Sequence, residues 1–237
     1  MPGSSKMTPR KMKPSPETVR LASEIRSRID RLSTPNTAAI RAVRREFSRK
    51  IAKSTPESVT QLALHLLDEN PSLRFFSYEL VSNHKLAGQQ LMVDDLLKLG
   101  KNLNSWSSVD SFATILSGPM WARGNLPDKT VTEWARSKDL WWRRTALVST
   151  VALSRRGDPD DIIRTEKICT LLAADKQDMV VKALSWALRE LAKKHPKEAA
   201  NFLARHKQVL APRVIREVNN KLKTGLKSPR RKVKSAN

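Results

Sequence analysis

The chain has 237 residues, with 45 Lys and Arg against 23 Asp and Glu, a net charge of +22 and a sequence pI near 10.7. That length can bury a full core, either as one large domain or as a stack of repeats. A charge excess of this size goes beyond what solubility needs and points to a polyanionic partner. The one cysteine, Cys169, excludes an internal disulfide and a cysteine-based metal site. With no apolar run of about eighteen residues and no apolar block near the N-terminus, a spanning helix and a signal peptide are not expected, and the cytosol or nucleoid is the expected location.

Residues 1–14 combine prolines and serines with Lys6, Arg10, Lys11 and Lys13, a composition expected to stay disordered. Residues 225–237 form a second basic tail with Lys227, Arg230, Arg231, Lys232 and Lys234. The two tails hold nine positive charges and no acid, which leaves +13 on the body, residues 15–224. Ser15-Pro16-Glu17 opens a first helix, with Pro at its first position and an acid behind it; Val19, Ile25, Ile29 and Leu32 mark its buried stripe. A second helix follows Thr34-Pro35-Asn36, with Ile40, Val43, Phe47 and Ile51 on its apolar side. Its other side carries Arg41, Arg44, Arg45, Arg49 and Lys50, either a DNA-facing stripe or a solvated face. Ser54-Thr55-Pro56-Glu57 starts a third helix with Val59, Leu62, Leu66 and Leu67.

The same pattern predicts a helix from Asn70-Pro71-Ser72 through His84, another over about Gln89–Leu99, and one from Asn104-Ser105 that stops at Gly118-Pro119. Further helices are predicted over about Asp128–Ser137, Leu140–Ser154, Asp160–Ala173, Lys176–Lys194, Pro196–Arg205 and Pro212–Lys223. Scarce glycine, one tyrosine and the absence of a strand signal give an all-α chain. The run beginning Trp141-Trp142-Arg143-Arg144 aligns without a gap on Met179-Val180-Val181-Lys182, and Asn70–Leu80 is a looser third copy. Repeats of two helices and about forty residues are HEAT-like, and they stack into an α-α superhelix. Its concave, basic groove would suit a DNA duplex, with Arg and Lys on phosphates.

Trp106 and Asp110 stand one helical turn apart and so project from one face. A carboxylate beside a large π surface, in so basic a chain, fits a place where something cationic is held. Two further segments belong with this pair: Trp141-x-Arg143-Arg144-x-Ala146 and Lys182-Ala183-Leu184-x-Trp186-Ala187-Leu188-Arg189-Glu190. Together the three resemble the AlkD family of DNA alkylation-repair glycosylases, HEAT-like proteins that excise cationic N3- and N7-alkylated purines; the looser likeness runs from about Leu73 to Lys207. The resemblance implies catalysis by Asp110 with Trp106 and Trp186, action on a lesion that stays within double-stranded DNA, and no cofactor. In its terms Arg143 or Arg144, with Arg189, clamps backbone phosphate and Lys182 adds a DNA contact; Arg41 and Arg45, outside the resembling stretch, would add DNA contacts if their stripe faces DNA. The protein is expected to act as a monomer.

The chemistry follows from these residue types. A purine alkylated at N3 or N7 already bears positive charge and departs as a neutral base, so it needs no general acid. What needs help is the oxocarbenium-like sugar, which a carboxylate stabilises electrostatically and aromatic faces attract. The four histidines form no metal-ligand spacing, and there is no glycine-rich phosphate loop. Trp121, Trp134 and one of Trp141 and Trp142 are read as packing between helices. The other reading is a non-catalytic HEAT-like module that recognises nucleic-acid structure or damage, to which a carboxylate in a basic groove contributes nothing.

Overall fold

The computed structural model describes residues 14–229, so most of both expected tails lies outside the described residues. The elements are helices α1 (Pro16–Asp30), α2 (Thr37–Lys50), α3 (Pro56–Glu69), α4 (Arg74–Asn83), α5 (Ala87–Gln90), α6 (Val93–Leu99) and α7 (Trp106–Phe112). They continue with α8 (Gly118–Ala122), α9 (Asp128–Ala135), α10 (Leu140–Arg156), α11 (Pro159–Leu171), α12 (Asp178–Lys194), α13 (Pro196–His206) and α14 (Pro212–Thr224). Among the described residues there is no strand, and the fold is an all-α helical repeat. No helix there is long and apolar enough to cross a membrane.

The start signals read from the sequence are the ones the helices use. Ser15, Asn36, Thr55, Ser105 and Asp139 each accept a backbone N–H of the first turn through the side chain. Such a cap is worth about 1 kcal/mol. One continuous apolar core runs from Leu21 to Val218. Its centre is α10, which packs against α7, α8, α9, α11 and α12, and α12 in turn packs against α13 and α14. The two segments aligned in the sequence therefore become neighbouring helices, each 17 residues long.

Three local expectations are corrected. Val19 is 43% exposed; the buried run of α1 is Thr18, Leu21, Ala22 and Ile25, a three-and-four spacing from which Val19 is rotated by a residue. The helix expected over Gln89–Leu99 is broken into α5 and α6, because Leu91 and Met92 adopt extended backbone (ψ 122° and 152°). The helix opened by Trp106 does not stop at Gly118-Pro119. It passes through a π-helical segment, Ala113–Ser117, and continues as α8. Pro119 has no N–H to donate, and the wider π turn carries the chain past it. Gly118 serves a close helix crossing rather than a stop: a Cβ there would lie 2.8 Å from Ala113 O and 2.9 Å from Ser149 O. Beside it the Ser117 and Ser149 hydroxyls meet at 2.8 Å.

Candidate functional site

The site is built where α7, α10 and α12 meet. Ser105 caps α7 in a reciprocal capping box with Ser108, which fixes the direction in which the first turn leaves the loop. Val109 and Phe112 turn inward to the core. That leaves Trp106 on the outer side, 59% exposed, where a core residue of its size would be covered. Asp110, one turn on, is largely covered, its side chain 20% exposed.

Asp110 is held by Arg144. The guanidinium donates through Nε to Oδ1 and through Nη2 to Oδ2, both at 2.9 Å, and its Nη1 donates to the carbonyl of Met179 at the start of α12. This planar two-point grip orients the carboxylate as a single charge-assisted contact does not. Arg144 is buried, 7% exposed by its side chain. The phosphate contact was expected of Arg143 or Arg144, and the three nitrogens of Arg144 are engaged inside the protein. Arg143, its neighbour in the doublet, donates to Asp175 at 2.7 Å and to the carbonyls of Ser137 and Lys138. Arg144 is thus engaged through all three nitrogens and Arg143 through Nε and Nη1.

Met179, Lys182, Trp186 and Arg189 form one half-covered stripe along α12, at three- and four-residue spacing, on a helix that is otherwise mostly buried. Trp186 packs its ring against the core and Lys182 bonds Asp178 at 2.7 Å. That bond, helped by the charges of Lys182, Arg213 and Arg144 and opposed by burial, holds the Asp178 carboxyl below its usual range. Arg189 lies 3.7 Å from Glu217 of α14 and 3.4 Å from the Ser185 hydroxyl. Burial pushes its guanidinium below the usual arginine value, against the pull of Glu217 and Glu190.

The structure thus joins Asp110 and Arg144 directly, and Arg144 ties both to the helix that carries Trp186. Arg41 and Arg45 stand on α2, away from this junction. Arg41 binds Glu79 of α4 at 2.7 Å and lies over the Phe75 ring, while Arg45 is exposed. Of the other tryptophans, Trp121 and Trp134 are buried, and Trp141 and Trp142 pack against the core, Trp142 on Trp134 and Phe112. Cys169 is fully buried, and burial pushes its thiol far up, so it offers no nucleophile. Among the described residues, no group of three or more His, Cys, Asp and Glu is placed to hold a metal ion. The grip of Arg144 on Asp110 is absent from the sequence reading; the only signal for it was an arginine doublet whose two members look alike.

Comparison with known proteins gives two matches. Residues 30–222 match the family described as DNA alkylation repair enzyme, a longer stretch than the motif segments span. Among solved structures, the chain is similar to one titled a predicted DNA alkylation repair enzyme from Enterococcus faecalis, with a TM-score of 0.64 and 16% identity, over 90% of this chain and 99% of that one. At that identity the likeness speaks for the fold. No protein of curated function matches.

Proposed function

Because the chain belongs to the DNA alkylation repair enzyme family, we propose that it is a monofunctional DNA glycosylase that hydrolyses the N-glycosidic bond of cationic N3- and N7-alkylated purines in duplex DNA. The observation that carries this reading is Asp110, fixed at both oxygens by a buried arginine and set one turn from an exposed tryptophan in a chain of net charge +22. The lesion's own charge makes the base a good leaving group, and the enzyme's task is the sugar cation. Asp110 faces that cation with its carboxylate in front and Arg144 behind. An arginine about twice as far from the sugar as the carboxylate cancels about half of its attraction, and the pair is pre-oriented. A carboxylate in this grip keeps acceptor capacity on both oxygens, enough to hold the attacking water. Trp106 and Trp186 supply ring faces to the cationic sugar and base, an attraction of about 0.5–2 kcal/mol each.

One observation favours the second reading, a helical module that binds damaged DNA without chemistry: the Asp110–Arg144 pair satisfies itself, as a structural ion pair does. The experiment that decides is base release from methylated duplex DNA and from duplexes that carry a neutral lesion, read by mass spectrometry. Release of 3-methyladenine and 7-methylguanine is expected, orders of magnitude faster than that of neutral hypoxanthine or 1,N6-ethenoadenine, because no proton donor accompanies Trp106 and Asp110. Binding of the same duplexes with no base released supports the non-catalytic module. Fast excision of an uncharged base, dependent on a protonated enzyme group, overturns the mechanism.

The body of the protein, residues 15–224, would act as one helical domain whose basic groove takes the duplex, with the tails as electrostatic tethers. Removing residues 2–13 and 230–237 takes away eight positive charges and spares Lys227, which lies 3.6 Å from Glu217. The expected result is weaker duplex binding with a shallower dependence on salt, since affinity scales with the phosphates neutralised. Single-turnover release at saturating protein should stay unchanged.

A further inference from the structure

Twelve aromatic side chains occur in the sequence; seven are buried in the core, Trp141, Trp142 and Trp186 pack against it, and Phe75 and Trp106 are left outside. An aromatic ring withheld from the core forgoes about 2 kcal/mol of burial. Phe75 is the less conspicuous of the two. Its neighbour Phe76 is fully buried, whereas Phe75 lies half-exposed at the start of α4 with the Arg41 guanidinium 5.0 Å from its ring centre. Arg41 is itself held by Glu79, so the ring stands against a fixed support.

Phe75 also lines a cleft of about 590 Å³ between the start of α4 and the first turns of α7. Pro71 lines it too, and its polar wall residues include Ser72, Asn104, Ser107 and Ser111. Asn104 makes no side-chain hydrogen bond among the described residues. Ser107 and Ser111 flank Asp110 on its own helix, so the cleft lies along the turn that carries the candidate carboxylate. One aromatic ring beside the Asn104 amide is a lining that suits a nucleotide, the ring taking base or sugar and the amide N–H donating to a phosphate oxygen, while the Ser72 and Ser111 hydroxyls already donate to Asn70 and to the Ser107 carbonyl.

We infer that Phe75 is a DNA-contacting residue and that the cleft it shares with Ser107 and Ser111 is a subsite for a nucleotide next to the lesion. This deepens the glycosylase reading, yet its test needs no base release. The probe is a duplex with a central tetrahydrofuran abasic analogue, with affinity read by fluorescence anisotropy. Phe75→Leu keeps an apolar side chain but removes the π face, and should weaken binding at least about fivefold, since aromatic contacts to a nucleotide are worth about 5- to 150-fold. Phe75→Tyr should bind like the natural protein. As a remote control, Ile163→Ala removes a side chain that is 67% exposed on α11 and should change nothing. Equal affinity for Phe75→Leu and the natural protein overturns the inference. So does equal loss in the Leu and Tyr variants with a matching fall in Tm, which would mark Phe75 as structural. If the natural protein binds this duplex but releases no base from the methylated duplexes, the glycosylase reading fails while the comparison of Leu and Tyr still decides the role of Phe75.

Discussion

Asp110→Asn is expected to lower release of 7-methylguanine and 3-methyladenine by about 10²- to 10³-fold, the loss that follows removal of one pre-oriented electrostatic group from a transition state. By the rate equation this is about 2.7–4 kcal/mol. The substitution keeps the shape of the side chain and leaves one oxygen to accept from Arg144, so the junction of α7 and α10 should survive. Duplex affinity should hold or rise. A negative charge has gone from beside phosphates, and the charge of Arg144 is no longer matched. Release that persists undiminished in folded Asp110→Asn protein removes this carboxylate from the chemistry.

Arg144→Met separates two roles. The ion pair predicts a structural cost, because methionine leaves the covered Asp110 carboxylate without its two donors. Breaking a buried pair from one side costs about 3–5 kcal/mol. Asp110 retains some contact with water, so the low end applies, and in a chain of this size about 3 kcal/mol is a fall in Tm of about 6–12 °C. Base release should fall as well, with the carboxylate no longer aimed. Arg144→Lys should lie between, since an ammonium restores charge but not the two-point grip. A phosphate clamp predicts the opposite set: Tm unchanged, affinity sharply reduced and the salt slope shallower by about one unit. Differential scanning fluorimetry beside a salt titration of binding tells the two apart.

Much of the architecture was legible because its signals are local. Ser15-Pro16 and Thr55-Pro56 start helices through contacts within four residues, and Trp106 with Asp110 is one turn of one helix. What escaped depends on distance along the chain. Asp110 and Arg144 are 34 residues apart, and nothing near either names the other. Arg143 and Arg144 are equivalent on paper, but about 100° of helical rotation sends one to Asp175 and the other to Asp110. Gly118-Pro119 reads as a stop by every local rule. Packing against α10, which requires a residue without a side chain at that crossing, overrides it. Phe75 was passed over because a phenylalanine beside a buried phenylalanine looks like core.

The π-helical segment governs where the site points. Across Ala113–Ser117 the Gly118 N–H bonds the carbonyl five residues back, not four, so the helix takes one more residue than an α-helix of the same reach. Each residue of an α-helix turns it by about 100°. Measured backward from Gly118, which is pinned against α10, that surplus residue rotates Trp106 and Asp110 by the same angle around the axis. Without it, Asp110 would point about 100° from its present direction and miss Arg144. The phase of the helix's first half is therefore set by a single insertion, and a shortening by one residue anywhere between 113 and 117 would turn the carboxylate out of register while leaving every candidate site residue in the sequence.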